Sequence, residues 1–136
     1  MASSRSSRDT RAMSQERVRE TVSEHYRRWA RRDRSGWLSL FHPDVVIDDP
    51  VGEPTLHGLT GAATVYDRMP GWTIAPVILQ VHTSEAAIVV TNVGDGPNGQ
   101  LSIVHTIEIW TVDDDGLITG LRVYPYSMPV PFSMPS

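Results

Sequence analysis

One acidic residue stands where a short apolar segment ends. Residues 45–49 form the pattern of a short strand that Pro50 stops, and alternation places Val45, Ile47 and Asp49 on one face. A carboxylate beside two apolar neighbours is costly to bury unless it is hydrogen-bonded or functional. Asp49 is therefore a candidate functional residue. The alternative is a side chain that caps the turn before Pro50.

A second carboxyl lies in the middle of a longer apolar segment, residues 101–112. Alternation there puts Glu108 on one face with Thr106 and Trp110, whereas His105 and three isoleucines share the other face. Because the second face is the more apolar, the pattern predicts that it covers the core and that Glu108 points to solvent. His105 is then a core or interface histidine rather than a base.

An aromatic hydroxyl stands on the apolar stripe of the first helix. Val18, Val22, Tyr26 and Trp29 recur at spacings of four, four and three residues, which indicates an amphipathic helix over about residues 14–33. A buried Tyr26 hydroxyl needs a hydrogen-bond partner. The alternative is a core ring whose hydroxyl reaches the surface.

Other chemistries have little support in this sequence. The five histidines show no spacing typical of metal ligands, so no metal site is expected. The chain contains no cysteine, which excludes disulfides, thiolate nucleophiles and cysteine-based zinc sites. A Ser-His-Asp triad lacks the nucleophile-elbow motif that would support it.

The elements that must position these residues follow in a simple order. After the first helix, capped by Ser14, we predict a short helix over residues 37–41, the strand at 45–49 and a third helix from about 60 to 69. Strands are predicted at 72–82, 86–93, 101–112 and 117–124, and the prolines from Pro125 onward are expected to end the last one. Helices followed by antiparallel strands predict an α+β fold.

Length and charge place these elements in one domain. Of the 136 residues, we assign 1–13 to a disordered leader, 14–126 to a single domain and 127–136 to a Pro-rich tail. No apolar run of 18 residues predicts a membrane span, and the leader lacks the apolar segment of a secretory signal, so we expect a cytoplasmic protein. Residues 1–34 hold ten arginines and five acidic residues. Because no aromatic residue is interleaved with the leader, this basic stretch predicts a disordered leader followed by the solvated face of a helix rather than a nucleic-acid contact.

A longer segment carries a resemblance to a known family. It reads DRSGWLSLFHPDVVIDDPVG at residues 33–52, and Glu53-Pro54 and Gly58 follow it. The segment resembles the bacterial ketosteroid isomerases (steroid delta-isomerases) of the nuclear transport factor 2-like superfamily. The resemblance extends over roughly residues 15–125, through the segments GLTGAATVYDRM, SEAAIVV, HTIEIW and DDDGLITGLRVY.

The resemblance implies roles for four residues. Asp49, directly before Pro-Val-Gly, matches the general base, and Tyr26 matches an oxyanion-hole tyrosine on the first helix. Tyr66 matches a second tyrosine that hydrogen-bonds the first. Glu108 occupies the position of a protonated aspartic acid, the second oxyanion donor, and carries one more methylene group.

The implied fold is a cone, in which three N-terminal helices pack on a curved antiparallel sheet and the open end is the pocket. The implied assembly is a homodimer through the outer sheet face. The implied activity moves a double bond into conjugation with the ketone of a hydrophobic, steroid-like substrate, without metal or cofactor. Two alternatives stay open: a polyketide cyclase-like acid/base enzyme that uses Asp49 on another carbon acid, and a non-catalytic module that binds a hydrophobic ligand or supports assembly. Convergence of Asp49, Tyr26 and Glu108 on one enclosed pocket favours an enzyme.

Overall fold

Three α-helices, one short 3₁₀ helix (Pro97–Gly99) and six strands make up the part of the chain that the computed structural model describes, residues 7–126. The helices are α1 (Ser7–Ala30), α2 (Arg34–Leu38) and α3 (Gly58–Asp67). The strands are β1 (Phe41–Asp48), β2 (Leu56–His57), β3 (Thr73–His82), β4 (Glu85–Asp95), β5 (Leu101–Val112) and β6 (Ile118–Tyr126). The predicted α+β class is confirmed. None of these helices combines the length and the apolar character that a bilayer span requires.

The strands form one curved sheet in the order β2-β1-β6-β5-β4-β3. β1 and β6 are parallel and the other neighbours are antiparallel, so the expectation of a wholly antiparallel sheet is wrong at this pair. A parallel pair needs a long connection rather than a turn, and no local turn pattern therefore indicates it. Register shifts in β3 and between β5 and β6 interrupt the ladder, and such bulges add twist and bend a sheet.

Helix α1 begins earlier than predicted. It starts at Ser7 rather than at Ser14, so that the second half of the predicted leader is helical. Arg11, Ala12 and Met13 are good helix formers, and they continue the helix through the residue that resembled an N-cap. Residues 1–6 of the leader and the predicted tail, 127–136, lie outside the described residues.

Two further boundaries differ from the prediction. Helix α2 ends at Leu38 and β1 begins at Phe41, where the pattern predicted a helix to residue 41. Strand β6 includes Pro125 and ends at Tyr126. Because β1 pairs with β6 only as far as Arg122, Pro125 has no partner strand on that side and its missing N–H leaves no gap in the ladder.

The core lies between α1 and the concave face of the sheet. Trp110 on β5 belongs to the same buried cluster as Val18 and Val22 on α1. Glu108 shares the inward face of β5 and is 8% exposed, whereas Ile103 on the opposite face is 57% exposed. The alternation-based expectation that Glu108 points to solvent is therefore wrong, because the helix covers the less apolar face of this strand.

Candidate active site

A cavity of about 180 Å³ lies between the helices and the concave face of the sheet. Most of its wall is aromatic or aliphatic, and three titratable side chains, His25, Asp49 and Glu108, interrupt that wall. The remaining lining residues are Trp29, Trp37, Pro50, Val65, Met69, Trp72, Ile74, Asn92, Val104, Thr106, Trp110, Leu121, Val123 and Pro125. The cavity therefore combines an apolar wall with a few convergent polar groups, as ligand sites do.

Asp49 directly follows β1 and continues the face of Val45 and Ile47, which brings its side chain to the cavity. The preceding Asp48 points the other way, where it accepts a hydrogen bond from Thr55 at 2.6 Å and lies 3.9 Å from Arg122. Among the described residues, none donates a hydrogen bond to the Asp49 carboxyl. Burial raises the pKa of Asp49, and the positive charge of Arg68 opposes that rise. An unpaired carboxylate of raised pKa suits a general base.

Glu108 is held by two neighbours on its own strand. Thr106 donates to its Oε2 at 2.7 Å and the indole of Trp110 donates to its Oε1 at 3.0 Å. Behind them, the amide of Asn92 on β4 donates to Thr106 Oγ1 at 3.2 Å. The period of two in a strand places residues 106, 108 and 110 on one face, and this arrangement fixes the carboxyl at the cavity wall.

The protonation of Glu108 reflects opposing effects. Burial raises its pKa most strongly, while the hydrogen bonds from Thr106 and Trp110 lower it. The negative charge of Asp49 raises the pKa further, since two carboxylates facing one cavity disfavour double ionisation. The pair is therefore biased toward one charged and one neutral carboxyl.

His25 also lines the cavity, which the sequence did not predict. From the sequence, His25 was considered only as a possible metal ligand. It is 2% exposed, and its Nδ1 lies 2.6 Å from the indole nitrogen of Trp37. Its Nε2 is buried and has no hydrogen-bond partner among the described residues. Burial lowers the pKa of His25 to about 3, so the ring is neutral at pH 7.

Tyr26 and Tyr66 do not form the hydrogen bond that the resemblance implied. Tyr26 packs against the core but does not line the cavity, and its buried hydroxyl has no partner among the described residues. Burial raises the pKa of Tyr26, and the charge of Glu108 raises it further. Tyr66 instead packs its ring on Trp29 and Trp37, with centroids 4.8 and 5.3 Å apart. The structure thus brings Asp49 and Glu108 to the cavity and places His25 there rather than Tyr26.

Potential metal ligands do not gather in this part of the molecule. Across the described residues, no group of three or more histidine and acidic side chains is arranged to hold a metal ion.

Helices that cover a curved mixed sheet, with polar groups in an apolar cavity, define the nuclear transport factor 2-like class of α+β folds. Residues 22–121 match the SnoaL-like domain, and the chain belongs to that family.

Relatives in this superfamily include enzymes of more than one kind. The chain is 30% identical over 91 residues to the steroid delta-isomerase of Nocardioides simplex, a match that covers 63% of this chain and 71% of that protein. The Δ5-3-ketosteroid isomerase from a Mycobacterium species superposes with a TM-score of 0.69 at 29% identity, over 79% of this chain and 92% of that one. The epoxide hydrolase/cyclase-like enzyme SalBIII, which acts in pyran ring formation in salinomycin, superposes with a TM-score of 0.75 at 20% identity, over 82% and 92%. At 20% identity, the similarity to SalBIII shows a shared fold alone.

Proposed function

We propose that this chain is a cofactor-independent isomerase that moves a double bond into conjugation with the ketone of a hydrophobic, steroid-like substrate. The observation that carries the proposal is the convergence of two carboxyls, Asp49 and Glu108, on one apolar cavity. The 30% identity to a steroid delta-isomerase supports the same reaction class.

Asp49 is the base that moves the proton. Its carboxylate takes a proton from the carbon between the ketone and the double bond, so that a C–H bond breaks and the electron pair passes into a dienolate. The neutral Asp49 then returns the proton to the γ carbon, which forms the new C–H bond and restores the carboxylate. The absence of hydrogen-bond donors on the Asp49 carboxyl, within the described residues, leaves both oxygens available for this transfer.

Glu108 is the donor that stabilises the dienolate oxygen. In its neutral form it has an O–H to donate, and its burial together with the charge of Asp49 favours that form. A donor already fixed in a dry site stabilises the charge as it develops, without reorganisation of water. Proton transfer and hydrogen bonding suffice for this reaction, and no cofactor is needed.

The cavity wall sets the class of substrate. Trp29, Trp72 and Met69 lie among its apolar lining residues, so an extended hydrocarbon skeleton is favoured over a polar ligand. A volume of about 180 Å³ is small for a ligand of drug size. We therefore place the ketone-bearing ring inside the cavity and the rest of the molecule toward its rim, where Trp72 is partly exposed and Pro125 is exposed.

We also propose that the protein forms a homodimer through the outer face of the sheet. Ile78, Val89 and Ile107 lie side by side on three neighbouring strands, and Ile78 and Ile107 are 55% and 43% exposed. Leu101 and Ile103 continue this apolar surface at 72% and 57% exposure. Contiguous apolar surface of this kind marks an interaction site, and a second copy of this chain covers it.

One observation favours a second function. Both oxygens of Glu108 accept hydrogen bonds, as an ionised carboxylate does, so Glu108 could serve as the base and Asp49 as the acid in a cyclase-like reaction.

The test is the absorbance of the conjugated enone when the wild-type protein is mixed with a β,γ-unsaturated ketosteroid. The isomerase proposal predicts turnover well above that of buffer. Tight binding of the steroid with no turnover would identify a binding module. A second assay, with a hydroxy-epoxide as substrate, would identify the cyclase-like enzyme by ring closure in the absence of ketosteroid isomerisation.

A further inference from the structure

The geometry points to His25 as a neutral hydrogen-bond donor of the cavity, positioned by Trp37, in the role that the resemblance gave to Tyr26. This inference rests on the proposed function, since it names a further residue for the same developing charge. His25 would touch the substrate oxygen, whereas Trp37 would act through His25 as a positioning residue.

The contact with Trp37 decides which ring nitrogen carries the proton. An indole N–H can only donate, so the His25 Nδ1 that lies 2.6 Å from it must be the acceptor. A neutral imidazole has one proton, and in this ring it is therefore on Nε2. His25 thus presents an N–H rather than a lone pair on the side away from Trp37.

That N–H has no partner among the described residues, although the ring is 2% exposed. Buried donors are nearly always paired in folded proteins, and an exception calls for an explanation. Because His25 lines the same cavity as Asp49 and Glu108, a ligand oxygen is the partner that the site would supply. The apolar surroundings that keep the ring neutral also prevent it from competing with Asp49 for the substrate proton.

The packing around the pair makes the donor rigid. The imidazole contacts the rings of Tyr26 and Trp110, each with a centroid 4.3 Å away. Trp37 is itself 1% exposed and packs on Phe41 at 4.5 Å and on Tyr66 at 5.3 Å. Tyr66 thus packs on the ring that positions His25, instead of forming the hydrogen bond to Tyr26 that the resemblance implied.

Helix geometry explains why His25 and not its neighbour faces the cavity. Residues 18, 22, 25 and 29 are separated by four, three and four positions and form the buried face of α1. Tyr26 is one position further round the helix and only partly buried.

A binding experiment tests the assignment without requiring turnover. A phenol presents an oxygen in the place of the dienolate oxygen, so the probes are estradiol and its 3-deoxy analogue. Calorimetry on the wild-type protein should show tighter binding of the phenol, because both His25 and Glu108 donate to its oxygen. His25→Phe should reduce that preference roughly tenfold, the effect of one good hydrogen bond, and His25→Gln, whose amide N–H takes the place of Nε2–H, should retain it in full. Tyr26→Phe should keep the preference.

Nitrogen-15 NMR of the His25 ring measures which of its two nitrogens carries the proton, a property that a purely structural role would not require. The wild-type ring should carry its proton on Nε2 from about pH 5 to pH 8, and Trp37→Phe should give a mixture of the two neutral tautomers. A proton on Nδ1 in the wild type, a preference for the phenol that is undiminished in His25→Phe, or no preference in the wild type would each overturn the inference. A preference that depends on His25 in a protein without isomerase activity would uphold the donor and refute the isomerase proposal instead.

Discussion

Replacing Glu108 by Gln and by Ala separates its role in the cavity from its role in the sheet. Gln can keep both neighbours, because its amide oxygen accepts from Trp110, its nitrogen donates to Thr106 and one N–H remains for the cavity. Ala leaves the donors at 2.7 and 3.0 Å without an acceptor. Each unpaired buried donor costs about 1–3 kcal/mol, so the free energy of unfolding should fall by roughly 2–6 kcal/mol, less the desolvation cost of the carboxyl that is relieved.

The activity of the two variants should differ in magnitude and in pH dependence. Removal of one oxyanion donor lowers kcat by about 10²–10³-fold, which we expect for Glu108→Ala, whereas Glu108→Gln should keep most of the activity. Wild-type kcat should fall as the pH rises through the raised pKa of Glu108, since the ionised group cannot donate and repels the dienolate. The Gln variant should lack this loss.

The same raised pKa sets the sign of the stability effect. The folded carboxyl holds its proton more tightly than the unfolded one, so Glu108 stabilises the fold at low pH. That contribution is lost as the pH rises from about 4.3 through the folded pKa. The Tm of Glu108→Gln relative to wild type should therefore increase over this window. Parallel pH profiles for both proteins, with Gln and Ala variants equally active, would refute the donor role.

Two further predictions concern the neighbourhood of the site and the outer face. Arg68→Gln should raise the pKa of Asp49, because the positive charge of Arg68 opposes the effect of burial. The acid limb of the pH profile of kcat should therefore move to higher pH. The control is Arg34→Gln, which breaks an ion pair with Asp67 and should leave this limb in place. Ile107→Lys should convert the proposed dimer to a monomer in sedimentation experiments. The control is Val46→Lys, on the exposed face of β1, which should leave the dimer intact. A wild-type protein that sediments as a monomer would rule out the dimer.

Local pattern was sufficient to predict the meander that carries Glu108. The four predicted strands from residue 72 onward correspond to β3–β6 within about two residues, because β-branched runs alternate there with strong turn signals. The two-residue β2 is too short to show alternation, and the parallel pairing of β1 with β6 joins distant parts of the chain. Both depend on tertiary contacts that no local window contains.

The side chains of the site were predictable only in part. Asp49 follows the strand face of Val45 and Ile47, and the structure places it at the cavity as alternation predicted. Glu108 was placed on the wrong side by the same principle, because the more apolar face of β5 is the outer one. His25 and Tyr26 are adjacent on a helix and both fit the spacing of its apolar stripe. Their burial, the cavity lining and the contact between His25 and Trp37 distinguish them, and none of these can be read from the spacing.

The rate of isomerisation by Asp49→Asn, compared with that by Asp48→Asn, tests the central claim most directly. The two residues are adjacent, but Asp49 lines the cavity and Asp48 points outward to Thr55 and Arg122. With a β,γ-unsaturated ketosteroid as substrate, kcat should fall by about 10²–10⁴-fold in Asp49→Asn, as expected for loss of a general base, and should remain near wild type in Asp48→Asn. Equal rates in the two variants would contradict the assignment of Asp49 as the group that moves the proton.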